Sequence, residues 1–269
     1  MTHIHKPGTA IVTGASRGIG AVYADRLARR GYDLVLASRD TGRMEALAQR
    51  LRADTGRSVE MIGADLSRPE DVAALSDRLD RDASITLLVN NAGILLDGSL
   101  LDNGPAELAQ LIAVNITAPT LLAAAAGRAF VRRGGGAIVN IASILAFHPE
   151  LLDGVYSGSK AHLLNLTLSL ADKLAGTGVR VQAVLPGPTR TDLWTHQGLD
   201  IDELVPGLVM DTADLVDAAL VGFDRGELVT IPSLADAALY AAYEAARLAL
   251  VPHLAASAPA ERYREPIAA

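Results

Sequence analysis

Short apolar runs recur along this chain, each followed by a longer amphipathic stretch, and that alternation restricts the fold more than any other feature. The runs lie at Thr9–Thr13, Asp33–Ala37, Val59–Ile62, Thr86–Val89, Ala137–Ile141, Val179–Leu185 and Leu228–Ile231. Helical patterns lie at Gly18–Arg30, Gly42–Ala53, Asp71–Leu79, Pro105–Val131 and Tyr156–Ala175. Strands this apolar need cover on both faces, and strands joined through helices pair in parallel. Right-handed crossovers then lay the helices over both faces. The expected architecture is α/β, with a doubly wound, mostly parallel sheet of seven strands. The rhythm continues past Ile141 without linker or repeat, so residues 1–269 read as one domain.

One stretch breaks the pattern. Around Gly187–Asp211, Pro186, Pro188, Gly198, Pro206 and Gly207 interrupt any regular element, while Leu193, Trp194 and Leu199 add bulky apolar groups. Long loops inside a compact domain are usually functional, so a lid over a site is expected at about 187–211.

Composition removes several classes of function. There are no cysteines, which excludes disulfides, thiolate metal sites and cysteine nucleophiles; no metal site is expected. A formal charge of −7 lacks the basic footprint that nucleic-acid binding needs. The start, Met1 to Pro7, has no apolar core of signal-peptide length. The longest apolar run, around Leu121 to Ala126, is cut short by Gly127, Arg128, Arg132 and Arg133, so no membrane span is expected. These features lead to the expectation of a cytoplasmic protein with neither nucleic acid nor membrane as partner.

Thr13-Gly14-Ala15-Ser16-Arg17-Gly18-Ile19-Gly20 follows the first strand and opens a helix. Glycines at 14, 18 and 20 let backbone turn tightly and approach a pyrophosphate, and the helix N-terminus favours an anion. A tight turn without a ligand would use the same residues; the place between strand and helix favours a dinucleotide. The second strand ends at Ala37-Ser38-Arg39, with no carboxylate at its tip to meet a ribose 2′-hydroxyl. Arg39, with Arg17 near it, suits a 2′-phosphate, so NADP(H) is the expected cofactor. Asp40 next door leaves open a solvated, surface-paired Arg39. Asp65-Leu66 and Asn90-Asn91-Ala92-Gly93 end the third and fourth strands, where such sheets bind ligands. Asp65 suits an adenine amino group or a helix cap.

Tyr156 and Lys160 stand four residues apart on a helix and so share a face. A neighbouring ammonium is expected to lower the phenol pKa from about 10, making Tyr156 a tunable proton donor or acceptor. The chain has only three lysines, at 6, 160 and 173. A Tyr-x-x-x-Lys pair alone also arises by chance.

Taken in order, Thr13-Gly14-x-x-x-Gly18-x-Gly20, Asn90 to Gly93, Asn115, Ser143, Tyr156-x-x-x-Lys160 and Pro186-Gly187 resemble the short-chain dehydrogenase/reductase family. The resemblance runs from about Lys6 to Leu250 and is strongest to the branch of 3-oxoacyl-carrier-protein reductases and carbonyl reductases. It implies a Rossmann-like fold and hydride transfer between a nicotinamide and a small carbonyl or alcohol. It implies Tyr156 as general acid/base, Ser143 as hydrogen-bonding partner of the substrate oxygen, and Lys160 on the nicotinamide ribose. Asn115 would hold a water linking Lys160 to solvent. Gly14, Ser16, Arg17, Gly18, Ile19, Gly20, Ser38, Arg39, Asp65, Leu66, Asn91, Ala92, Gly93, Tyr156, Lys160, Pro186, Gly187, Thr189 and Thr191 would contact the cofactor. Two positions depart from the pattern: Thr189 replaces an aliphatic residue, and Gly158 replaces alanine between the catalytic pair, where its small size is expected to leave room for a ligand.

The substrate side is read as Ile94, Leu95, Leu96, Ile144, Leu145, Phe147, Leu151 and Leu152, with Leu193 and Trp194 from the lid. That lining points to a hydrophobic ketone or secondary alcohol, with His148 and Glu150 as polar exceptions able to orient it. The alternatives are an NAD-dependent alcohol dehydrogenase and a non-catalytic dinucleotide sensor. The family pattern implies a homotetramer or homodimer assembled through Pro105–Val131 and Tyr156–Ala175, with Ala123 to Ala126 allowing close packing.

Overall fold

In the computed structural model, residues 7–98, 100–151, 154–192 and 200–264 are described. They fall into two compact units, Met1–Ser233 and Leu234–Ala269. The first holds seven strands: β1 (Thr9–Thr13), β2 (Asp33–Ser38), β3 (Val59–Gly63), β4 (Ile85–Asn90), β5 (Gly136–Ile141), β6 (Val179–Val184) and β7 (Val229–Thr230). Every pairing is parallel, in the order β3-β2-β1-β4-β5-β6-β7. The chain winds outward from β1 through β2 to β3, then crosses back to place β4 on the other side of β1. The tips of β1 and β4 therefore diverge, and a crevice opens there.

The period-two alternation of each strand divides the core. Ala10 and Val12 face one side with Leu34, Leu36, Leu87 and Val89, under α1 (Gly18–Arg29), α2 (Thr41–Thr55) and the helix Thr212–Arg225. Ile11 and Val35 face the other with Leu88 and Ile138, under α3 (Pro69–Arg81) and α5 (Ala118–Arg133). Helices on both faces and largely apolar strands thus agree with the reading of the sequence.

Three features depart from that reading. The stretch expected as one helix over Pro105–Val131 is α4 (Pro105–Ile112), a π-helical turn (Ala113–Thr117) and α5. Together they span Pro105–Arg133, 29 residues that by length and composition alone would cross a membrane, although the apolar run had seemed to stop at Ala126. Here the stretch is a core helix: Leu122, Ala126 and Phe130 are fully buried. Ala123, Ala125 and Ala126 also lie in this core, so they do not offer the subunit contact expected of them. In the second unit, Ala237–Leu250 forms an additional helix capped by Asp236, whose carboxylate accepts from the Ala238 N–H at 2.9 Å; none of its residues is buried.

The helix α6 (Gly154–Lys173) carries the Tyr156–Lys160 pair. Gly158 between them is exposed, with nothing within 4 Å of where a Cβ would stand. Glycine in a helix interior costs about 0.5–1 kcal/mol relative to alanine. Gly158→Ala is therefore expected to stabilise the protein by that amount, raising Tm by about 2 °C in calorimetry.

Candidate active site

The crevice holds a cavity of about 460 Å³ reaching from the β2 tip to the start of α6. At one end, Gly14 follows β1 with φ +64° and donates its N–H to Ala37 O at 2.8 Å, tying the loop to β2. A Cβ on Gly14 would stand 2.9 Å from Ala92 Cα, so the turn accepts no side chain. α1 then begins at Gly18 with no side chain capping it, as a helix end that receives an anion requires. Gly20 does not line the cavity. A Cβ there would meet Gly14 O at 2.4 Å, so its role is close packing of helix on loop rather than the ligand contact expected.

The loops are laced together beneath the cavity floor. Thr13 Oγ1 accepts from the N–H groups of Asn91 and Ala92 at 3.0 and 3.1 Å. Asn91 Nδ2 donates to Thr13 O at 2.9 Å and Gly14 O at 3.2 Å. Asn91 thus lines the cavity and also fixes the glycine turn. Ser16, Arg17, Ser38 and Arg39 form the wall around the β2 tip, where the Ser38 hydroxyl donates to Ser16 Oγ at 3.0 Å. Asp40 turns into the cap of α2, accepting from the Arg43 N–H at 2.9 Å. Asp65 and Leu66 also line the wall. Asp65 Oδ1 accepts from the Ser67 N–H and hydroxyl, and these bonds, aided by Arg39, hold the carboxyl below its usual range despite partial burial. Asp65 is therefore both turn cap and wall residue.

At the other end, Ser143, Tyr156 and Lys160 line one stretch of wall with Ile141 and Ala142. Lys160 is buried, and its Nζ donates to Ile141 O, the last carbonyl of β5, at 3.0 Å. Burial lowers its pKa from 10.5 to about 8. The same removal from water raises the Tyr156 phenol from 10.0 to about 12. The expectation that Lys160 lowers the phenol is thus not met in this state: the ammonium lies 5.5 Å from the ring centroid, and desolvation dominates. Ser143 combines its two readings, accepting from the Leu145 N–H at 3.1 Å while facing the cavity.

Asn115 sits in the π-helical turn and is fully buried. Its Oδ1 accepts from the Ile94 N–H at 2.8 Å, and its Nδ2 donates to Ile94 O at 2.8 Å and Ser159 Oγ at 3.2 Å. It does not line the cavity; it straps the loop after β4 to α6. A Cβ on Gly93 would stand 3.4 Å from Lys160 Nζ and 3.5 Å from Asn115 Oδ1, so this glycine keeps the space beside both groups open.

Pro186, Gly187, Thr189 and Thr191 close the cavity from the β6 side. Beyond them, Arg190 anchors the returning chain, with Nη2 2.6 Å and Nε 3.1 Å from Asp202 and a further pair to Asp211. This holds the short helix Ile201–Leu204, from which Ile201 and Leu204 line the cavity together with Val205. Of the expected substrate contacts, Ile94, Ile144, Leu145 and Leu151 are on the wall, whereas Leu95, Leu96 and Phe147 are not. His148 and Glu150 form an exposed pair 3.9 Å apart off the wall, and Gly158 is off it too. Leu152, Leu193, Trp194 and Leu199 lie outside the described residues.

The family model for short chain dehydrogenases matches residues 8–202. The chain belongs to the short-chain dehydrogenase/reductase family. It is therefore an oxidoreductase. A short-chain dehydrogenase from Sphingobium yanoikuyae in complex with NADPH superimposes with a TM-score of 0.92 at 48% identity, covering 96% of this chain and 100% of that one. The bulky-bulky ketone specific alcohol dehydrogenase from Comamonas testosteroni superimposes with a TM-score of 0.88 at 44% identity, covering 96% and 98%. The 2-dehydro-3-deoxy-D-gluconate 5-dehydrogenase of Bacillus subtilis (strain 168) is 35% identical over 182 residues, 68% of this chain and 71% of its own length.

For a member of this family, the residues present suit a nicotinamide dinucleotide: a glycine turn closed to side chains, an open helix end and two arginines at the cavity mouth. What the sequence did not disclose is the scaffold behind them, namely the Ile141 carbonyl, the π-helical turn and the Arg190 anchor. Replacing Asn115 by alanine would leave the Ile94 N–H and carbonyl unpaired. Ile94 is only partly buried and water can reach the freed groups, so at roughly 0.5–1.5 kcal/mol per lost hydrogen bond Asn115→Ala is expected to destabilise the fold by about 1–3 kcal/mol in denaturant titration.

Proposed function

We propose that this enzyme reduces hydrophobic ketones, bulky ones included, with NADPH, using Tyr156 as the proton donor. The observation that carries the reading is one cavity wall on which Ser143, Tyr156 and buried Lys160 stand beside apolar Ile94, Ile144, Leu145, Leu151, Ile201, Leu204 and Val205. The charged side chain among these described residues is Lys160, already donating to Ile141 O, and the rest of the lining is apolar, so an uncharged hydrophobic substrate suits the wall better than an anionic one. The NADPH complex of the Sphingobium relative and the ketone specificity of the Comamonas enzyme support the same reading.

When bound, the cofactor supplies the hydride. Arg17 and Arg39 would hold its 2′-phosphate, and the start of α1 its pyrophosphate. The chain's own task is the proton. A phenol held at about 12 keeps its hydrogen across neutral pH and presents it to the carbonyl oxygen, while Ser143 donates a second hydrogen bond to the same oxygen. The Lys160 ammonium beside the ring favours the phenolate that forms as the proton leaves. Assembly as a homodimer or homotetramer belongs to the same proposal. Half-exposed Ile112 and Leu121 supply apolar surface on the α4–α5 stretch, and light scattering tests it.

A panel of ketones and alcohols, followed by nicotinamide absorbance with each cofactor, tests the function. Hydrophobic ketones with NADPH should give the highest kcat/KM, and 2-oxo acids little turnover; preference for charged substrates or for NADH would contradict it. Tyr156→Phe should lower ketone reduction by about 10²–10⁴-fold with the fold intact by circular dichroism.

A further inference from the structure

Beside the cavity mouth stands an ion pair, Asp192 with Arg43, that the ketone-reductase reading does not use. Asp192 lines the cavity directly after Thr191, facing the β2 tip from the opposite side. Its Oδ2 lies 2.9 Å from Arg43 Nη1, in the first turn of α2, and 4.0 Å from Arg17 Nη1, in the glycine turn. One carboxylate oxygen therefore sits between two guanidinium groups from different elements. We propose that Asp192 is a cofactor-selecting residue, whose carboxylate takes the anion position between Arg17 and Arg43 for which a 2′-phosphate competes, and that Arg43 is a further phosphate-binding residue. This rests on the NADPH reading given above.

The charges around the mouth support an exchange. Arg17, Arg39 and Arg43 face Asp40, Asp65 and Asp192, with Arg68 also acting on Asp65, so cations and carboxylates interleave there. Asp40 is committed to the cap of α2 and lies 3.4 Å from Arg43 Nε. Asp65 Oδ1 is committed to Ser67. Asp192 is the carboxylate that bridges two of the arginines. Its side chain is 46% exposed, with Arg17 at 37% and Arg43 at 50%, so both pairs are wet and weakly held. A phosphate brings nearly twice the charge and three acceptor oxygens, and meets guanidinium groups with shorter, stronger bonds. A ribose 2′-hydroxyl brings no charge and cannot compete. Asp192 therefore penalises the phosphorylated dinucleotide and leaves the other untouched, while Arg43 favours the former.

Equilibrium binding of NADPH, NADH and 2′,5′-ADP, by calorimetry on the full chain without substrate, separates the roles. Asp192→Asn should tighten NADPH and 2′,5′-ADP about fivefold, the Coulomb effect of removing one unit charge near a dianion in a wet site, and change NADH less than about twofold. Arg43→Gln should weaken the two phosphorylated ligands about fivefold without moving NADH, and both effects should shrink at about 0.5 M salt. Asp192→Asn that leaves NADPH unchanged in a protein that prefers NADPH overturns the role of Asp192. Equal shifts for NADH and NADPH overturn the charge competition. A wild type that binds NADH and NADPH alike overturns the NADPH reading itself, and this inference with it.

Discussion

An ammonium removed from water at the end of a strand is the interaction around which this site is organised. Lys160 Nζ donates to the carbonyl of Ile141, the last residue of β5, and its pKa is held near 8 by burial. Each pKa unit corresponds to about 1.4 kcal/mol, so keeping that charge at neutral pH costs roughly 3 kcal/mol. As a base with a depressed pKa, Lys160 opposes folding while protonated, and the cost fades as pH rises from about 8 toward 10.5. A fold tolerates such a group where it has work to do. Here it stands against the ring of Tyr156, with Ser143 on the same wall.

The sheet provides the position. Crossing from β3 back to β4 parts the strand tips, and the Thr13–Asn91 hydrogen bonds lock the glycine turn to the β4 loop across the gap. The π-helical turn brings Asn115 to the backbone of Ile94, fastening the same loop to α6, which carries Tyr156 and Lys160. Regular elements thus hold Tyr156 and Lys160, whereas Arg190 pins the apolar far wall through exposed carboxylates.

Much of this was legible in the sequence because its signals are local. Apolar runs marked all seven strands within a residue or two, and the glycines marked the nucleotide turn. Ser143, Tyr156 and Lys160 were found by family order and do converge. What escaped depended on partners distant in sequence. Gly20 looked like a ligand contact, but its missing side chain serves Gly14 O. The side-chain bonds of Asn115 to Ile94 and Ser159 were not legible either. Nothing in residues 105–131 announces a π turn, and Arg43 and Asp192 lie 149 positions apart. The helix Ala237–Leu250 did carry a readable signal, Asp236 as N-cap before an alanine- and leucine-rich run.

Lys160 is held as a buried, readily deprotonated ammonium beside the Tyr156 phenol. With only three lysines in the chain, a protein labelled with ¹³C at lysine Cε gives a spectrum simple enough to titrate residue by residue, with Lys160→Met assigning the resonance. The structure predicts a midpoint near 8 for Lys160 in the absence of cofactor, well below the ordinary lysine value of about 10.4. A Lys160 resonance that keeps its charged-form shift up to about pH 10 would contradict the account.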